Sequence, residues 1–441
     1  RNVSLQHATG DWVLWLDADE RLDRGSAEAI RNAIRDPQFA GYLVEIVNDV
    51  GDQHNSSTFV HRACRLFRRL PVTRFEGRIH EQVVPSLERN GYEIAYLKGV
   101  RIRHLGYRQD IVADRRKHER TIRMLREEVQ KNPDDLFQRF NLGNAYYVAG
   151  QYEQAVRELE PIVDRIEPHA DHAAIGYVLL ANALYPLGQY EQILQVHERA
   201  LRRGIDHPGL HFADGYAYLS LRRYAESAEA FQRAIASSDD ERFVGGDTSV
   251  SGFKAYYGLA QAYLGLEQLD KSEAECRRAL AEQPAFAEAR YLLAQLLFAR
   301  GEPASALKEL EQAHRDAPQN PEIARELAVR YEEAGRWADA YAIWRRLVGA
   351  FQNNPEWRWH SATCAEKLNL WHEAQADYTE LTVVHPQFAP AWVNLGRVHL
   401  AQGDYEGALS CFTRAIELNP EDANAFFNAG DVLYRLGAYE A

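Results

Sequence analysis

Cysteine is scarce, and no two of its four positions are close enough to cooperate. Cys64, Cys276, Cys364 and Cys411 are widely spaced, with no C-x-x-C pair. That spacing excludes zinc and iron–sulfur cysteine motifs and a disulfide framework. It fits free thiols acting as small buried hydrophobes in a reducing, cytoplasmic setting. An excess of basic charge is also lacking. The formal net charge of −13 argues against nucleic acid as the main partner. No apolar run approaches the roughly 18 residues of a membrane span, and no signal peptide opens the chain, so no transmembrane segment is expected. Arg1 stands where a methionine would, and Gly437–Ala441 stops inside a repeating pattern. The chain therefore reads as a fragment at both ends.

What is present begins with Asp11–Asp23, DWVLWLDADERLD. Trp12–Leu16 is a continuous apolar run, expected as a strand buried on both faces. It ends in Asp17-Ala18-Asp19-Glu20. At a strand end, residues two apart share a face, so Asp17 and Asp19 are expected to point the same way. The pair reads either as an acidic turn closing a strand or as two hard ligands for Mg²⁺ or Mn²⁺. The basic stretch Arg62–Arg74 also reads two ways, as a solvated strand edge or as a surface for a diphosphate.

Arg1-Asn2 followed by Ala8–Glu20 resembles the middle of family 2 glycosyltransferases, where such a stretch carries the metal-binding DxD. The resemblance covers about the first 130 residues. It implies the second, acceptor-binding half of a GT-A fold, with the βαβ nucleotide-binding half expected upstream of Arg1. Ser26 is a plausible N-cap of the helix that follows, and 41–47, 58–67, 91–97 and 100–105 read as strands.

Phe75–Glu81, FEGRIHE, is similar to a stretch of repeat-carrying family 2 enzymes. By that resemblance Glu81 is the general base that deprotonates the acceptor, with Glu76 as second choice. Val100–Tyr107 alternates so that Val100, Ile102 and His104 share the apolar face. His104 reads as a hydrogen-bonded core histidine; by resemblance it completes the metal shell with Asp19. Arg1, Asn2 and Asp17 are assigned to the nucleotide-sugar donor on the same basis.

Residues 111–135 read as a linking helix, closed by Asn132-Pro133-Asp134-Asp135. From 136 to 441 the chain is periodic. Ala260, Ala294, Ala328, Ala362, Gly396 and Gly430 recur every 34 residues, with Gly143, Ala181 and Gly215 as earlier members. This is the tetratricopeptide period. Ala306, Ala340, Ala374 and Ala408 are small residues at helix crossings, and Trp344, Tyr378 and Phe412 fill an aromatic site four residues later. Pro284, Pro318, Pro386 and Pro420 end second helices. Eight full repeats and the start of a ninth are expected, stacked as a superhelix whose groove suits a peptide or protein. Asn141, Asn394 and Asn428 fall at the groove-facing sixth position. An insertion at 237–250 is expected as a surface loop or as an arm reaching the N-terminal domain.

The fold class expected is therefore an α+β partial GT-A domain at 1–110 followed by an all-α tetratricopeptide solenoid. Two functions follow. One is an inverting, metal-dependent glycosyltransferase that moves a sugar from a nucleotide-sugar donor to a protein or peptide acceptor recruited by the repeats. The other is a non-catalytic scaffold for protein–protein interaction.

Overall fold

The computed structural model describes residues 1–35, 38–50, 57–76, 82–104, 115–168, 170, 172–237, 246–351 and 354–437. By contacts the chain divides into two compact units, 1–289 and 290–441.

The first unit opens with a short helix, α1 (Asn2–Gln6), then β1 (Trp12–Leu14), β2 (Glu20–Leu22), α2 (Ser26–Arg35), β3 (Gly41–Val50), β4 (Ser57–Arg68), α3 (Val84–Glu88) and β5 (Ile94–His104). The strands form a mixed sheet in the order β1-β4-β3-β5-β2. β3 and β5 are parallel, and the other neighbours are antiparallel. β1 lies at the sheet's edge and is half-buried, so it is not a strand buried on both faces. The apolar run is spent otherwise: Val13 and Trp15 pack on Leu5, Phe67 and Phe75, while Leu16 is exposed. The two strands expected at 91–97 and 100–105 are one strand, β5 (Ile94–His104), with Gly99 left-handed inside it; residue 105 lies outside the described residues.

Alternation along β3 and β5 builds the sheet's buried face. Val44, Ile46, Val100 and Ile102 are buried, and Ala29 and Ile30 of α2 pack over them. Each such side chain contributes about 1.5–3 kcal/mol by leaving water. Ser26 begins α2, but its hydroxyl bonds the backbone of Arg101 instead of capping the helix.

Helix α4 (Arg115–Lys131) precedes the helix pairs. In the first unit these are α5 (Leu136–Val148) with α6 (Tyr152–Leu159), α7 (Ala173–Leu184) with α8 (Tyr190–Arg202), α9 (Pro208–Ser220) with α10 (Tyr224–Ala236), and α11 (Phe253–Gly265) with α12 (Leu269–Glu282). The division between units falls within α13 (Ala287–Ala299). The second unit continues with α14 (Pro303–Asp316), α15 (Pro321–Glu333), α16 (Trp337–Ala350), α17 (Pro355–Lys367), α18 (Trp371–Val384), α19 (Ala389–Ala401), α20 (Tyr405–Leu418) and α21 (Ala423–Arg435). Among the described residues this makes eight pairs and the first helix of a ninth.

The small and aromatic periodic positions are the core of these pairs. Ala306, Ala340, Ala374 and Ala408 are fully buried, as are Trp344, Tyr378 and Phe412. Asp135, Asn320, Asn354 and Asp422 cap the helices that follow them with side-chain oxygens. The insertion supplies a two-residue strand, β6 (Gly246–Asp247), that pairs with Val60 and Phe59 of β4. Thr248 Oγ1 donates to Thr58 O at 3.1 Å. The insertion is therefore an arm that reaches the sheet, and it binds the first repeats to it through main-chain hydrogen bonds. Asn141 is buried, only 8% exposed, so it is not presented to a groove.

Two substitutions test this packing. A Cβ on Gly258 would meet the buried Phe231 ring at 2.3 Å, with nowhere for the ring to move. Gly258→Ala is expected to cost about 1–3 kcal/mol, read as a lowered urea midpoint. Glu267 occupies the interhelix turn with φ of 60°, where Gly301, Gly335 and Gly403 stand in other repeats. Glu267→Gly is expected to raise the same midpoint, by up to about 1 kcal/mol, by removing left-handed strain.

Candidate functional site

The register of three strands assembles the candidate site. In the parallel β3–β5 pair, Asn48 lies opposite His104, two residues beyond the buried Ile46–Ile102 pair. In the antiparallel β2–β5 pair, Glu20 lies opposite His104. Asp19, one residue earlier, then reaches the imidazole: His104 Nε2 lies 2.9 Å from Asp19 Oδ2. His104 Nδ1 lies 3.0 Å from Asn48 Oδ1. The orientation of that amide is fixed by its nitrogen, which donates to Phe59 O at 3.2 Å and faces His61 Nδ1 at 3.1 Å. Nδ1 of His104 therefore carries the proton and donates to Asn48.

This leaves the Nε2 lone pair of the neutral ring facing a carboxylate oxygen, two acceptors 2.9 Å apart. A metal ion between the two atoms would satisfy both. Neighbouring ligands on an octahedral cation with bonds of about 2.1 Å sit about 3 Å apart, so the pair fits a divalent ion. A mixed nitrogen and oxygen set suits Mn²⁺ better than Mg²⁺. The Asn48 contact orients the His104 ring, as an outer hydrogen bond does for an imidazole that holds a metal.

Asp17 takes a different course. Glu20 N donates to Asp17 O at 3.0 Å, so Asp17–Glu20 is a turn, and strand alternation does not apply to it. Asp17 and Asp19 thus have separate partners. Trp15 Nε1 donates to Asp17 at 3.1 Å, and the guanidinium groups of Arg1 and Arg65 each lie 3.3 Å from its carboxylate. Arg65 also binds Glu20 at 2.6 Å, with the Glu20 side chain only 2% exposed. Arg65, within the basic stretch, is thus neither a solvated edge nor open to a diphosphate. It is the counter-ion of the turn.

Arg1 lies over the rings of Trp15 and Phe75, 5.3 and 5.7 Å from their centroids. Asn2 spends its amide on the backbone of Phe75, donating to its carbonyl at 2.8 Å and accepting from its N–H at 2.7 Å. Glu81 lies outside the described residues; its neighbour Gln82 pairs with Glu76 through the backbone. Arg89 and Arg74 hydrogen-bond the Glu76 carboxylate and push its pKa down to about 2. So weak a base is poorly suited to take a proton from a hydroxyl. Asn48 and His61 escaped the sequence reading, and Arg65 entered it only as one member of the basic stretch. The alternation of β3 with Asn48 on its apolar face was the available signal for the first.

Family models described as tetratricopeptide repeat match residues 138–161, 178–241, 257–321, 297–359 and 365–410, and one described as TPR repeat matches 396–437. The helical array consists of tetratricopeptide repeats. A TPR repeat-containing protein of Synechococcus elongatus is 30% identical over 185 residues, 41% of this chain and 44% of that protein. The glycosyltransferase SunS of Bacillus subtilis is 21% identical over 171 residues, 39% of this chain and 40% of that protein. The chain thus spans less than half the length of either relative. Among solved structures, the C-terminal part of a TPR repeat-containing protein from Cytophaga hutchinsonii matches at a TM-score of 0.45 and 11% identity, over 57% of this chain and 98% of that one. Tetratricopeptide repeats are protein-interaction modules, and this array provides for a peptide or protein partner. No helix among the described residues is long and apolar enough to cross a membrane.

Arg65→Ala strands Glu20 as a buried, uncompensated charge and is expected to cost about 3–5 kcal/mol. Arg1→Ala removes a half-exposed pair and is expected to cost no more than about 1 kcal/mol. Chemical denaturation of both variants reads the contrast.

Proposed function

We propose that the chain is part of an inverting, metal-dependent glycosyltransferase whose tetratricopeptide repeats recruit a protein or peptide acceptor. The observation that carries this reading is the Asp19–His104 contact. Two residues 85 apart in sequence, both assigned to the metal by the family resemblance, meet at 2.9 Å with the imidazole oriented by Asn48. The distant likeness to a named glycosyltransferase supports it.

On this reading the sheet belongs to a GT-A type domain. Asp19 and His104 hold Mn²⁺ or Mg²⁺. The cation, when bound, supplies positive charge to the departing diphosphate of the nucleotide-sugar donor. Asp17, held between Arg1 and Arg65, receives the donor's ribose. Arg1, stacked on Trp15 and Phe75, keeps its guanidinium at the donor side, and Asn2 holds the Phe75 backbone beside it. Glu81 takes the acceptor's proton. Four thiols, none paired with another, fit a cytoplasmic protein.

The second reading is a non-catalytic scaffold. It is favoured by the repeat matches from 138 to 437 and by a curated relative that is itself described only by its repeats. The two part on one experiment with the full-length protein. Asp19→Asn and His104→Ala are each expected to weaken Mn²⁺ binding at least tenfold by calorimetric titration and to abolish metal-dependent turnover of a nucleotide sugar, with the circular dichroism spectrum unchanged. Wild-type protein that binds neither Mn²⁺ nor any nucleotide sugar leaves the scaffold reading standing.

A further inference from the structure

A second cluster of metal-ligating groups lies within the repeats of the first unit, away from every residue assigned above. His197 on α8, His211 on α9 and Asp206 in the turn joining those helices each bring a ligand atom within 4.8 Å of the others. Among the described residues this is the one group of three or more such side chains gathered so closely. The two rings meet edge to face with centroids 4.6 Å apart. His211 Nε2 lies 2.7 Å from Asp206 Oδ1.

Both histidines stand at repeat positions that several other repeats fill with aromatics. His197 is the eighth residue of its helix, as Phe231, Trp344, Tyr378 and Phe412 are of theirs. Those four are fully buried core side chains. His211 precedes the small residue Gly215 by four, as Tyr177, Tyr256 and Trp392 precede Ala181, Ala260 and Gly396. Both imidazoles are buried and need polar partners, since a buried, unbonded nitrogen costs about 1–3 kcal/mol. His197 satisfies one nitrogen: Nδ1 donates to Asp214 Oδ2 at 2.5 Å. Its other nitrogen is left over. His197 is 4% exposed, and its buried Nε2 has no hydrogen-bond partner among the described residues.

That arrangement is what a metal-binding histidine requires. A carboxylate holds Nδ1–H, fixes the tautomer and leaves the Nε2 lone pair for a cation. The geometry points to a zinc-class divalent metal site formed by His197, His211 and Asp206, with Asp214 as the positioning residue behind His197. Two imidazoles and one carboxylate suit Zn²⁺ or its neighbours in the first transition row. His211 is buried while Asp206 is exposed, so the ion has a solvent side where water completes its shell. The ligands come from the second helix of one repeat, the first helix of the next and the turn between them. A bound ion therefore clips two successive repeats together, and its binding energy adds to their stability.

The test uses the full chain carrying Asp19→Asn and His104→Ala, so that the other candidate site does not contribute. Metal-free protein is titrated with Zn²⁺ by calorimetry and with Co²⁺ by visible absorption, and its thermal midpoint is followed with and without Zn²⁺. One equivalent of Zn²⁺, d–d bands from bound Co²⁺ and a raised midpoint are expected. His197→Ala is expected to weaken Zn²⁺ at least about 100-fold, and Asp214→Asn about 10–100-fold. Should the buried variants fail to fold, Asp206→Asn, on an exposed side chain, is expected to weaken Zn²⁺ at least tenfold with the fold intact. Absence of Zn²⁺ binding overturns the site and leaves a histidine–carboxylate network of the core. Binding that persists undiminished in Asp206→Asn overturns it as well.

Discussion

Arg65 lies in β4 with only 13% of its side chain exposed and meets two carboxylates of one turn, Asp17 and Glu20. The Glu20 carboxylate is buried and is matched by the Arg65 guanidinium and by the Asp17 backbone N–H, which donates to it at 2.8 Å. The pairing fixes the turn between β1 and β2. That turn leads into β2, whose register with β5 sets Asp19 against His104. Backbone pairing of β2 with β5 and the contacts of Trp15 and Arg1 with Asp17 hold the same turn against the sheet.

The same strand carries load from the other side. β4 pairs with β3 along its length, with β1 at one end and with β6, from the repeat insertion, near the other. Backbone pairing is indifferent to which domain supplies the strand. Gly246 and Asp247, with Thr248 beside them, join the first repeats to the sheet, and the two fall in one compact unit. A boundary drawn from composition near residue 110 follows the change from strands to helices. The contacts follow the hydrogen bonds.

Polar groups at apolar positions mark both metal candidates. Asn48 follows Tyr42, Val44 and Ile46 on the buried face of β3, and His104 follows Val100 and Ile102 on that of β5. His197 and His211 are buried where several other repeats carry aromatics. In each case the surrounding core is ordinary, and the polar residue is matched by a second one that the fold brings from elsewhere. Desolvation makes an unmatched group costly, which is why the matching partner is present.

Periodicity alone determined the array. A 34-residue recurrence of small and aromatic residues dictates stacked helix pairs, because no pair covers its own apolar face. The buried alanines at 306, 340, 374 and 408 and the aromatics at 344, 378 and 412 follow from that rule. The strand alternation that put His104 with Val100 and Ile102 was equally local, and it holds. What the sequence left open depends on strand order and register, which join residues far apart in the chain. Only the tertiary structure set β1 at an edge, turned Asp17 toward Arg1 and Arg65, gave Asp19 to His104 and brought 246–247 to β4. A strand's alternation says which residues share its face. Which strand lies beside it, and in what register, is decided by how all the faces pack at once.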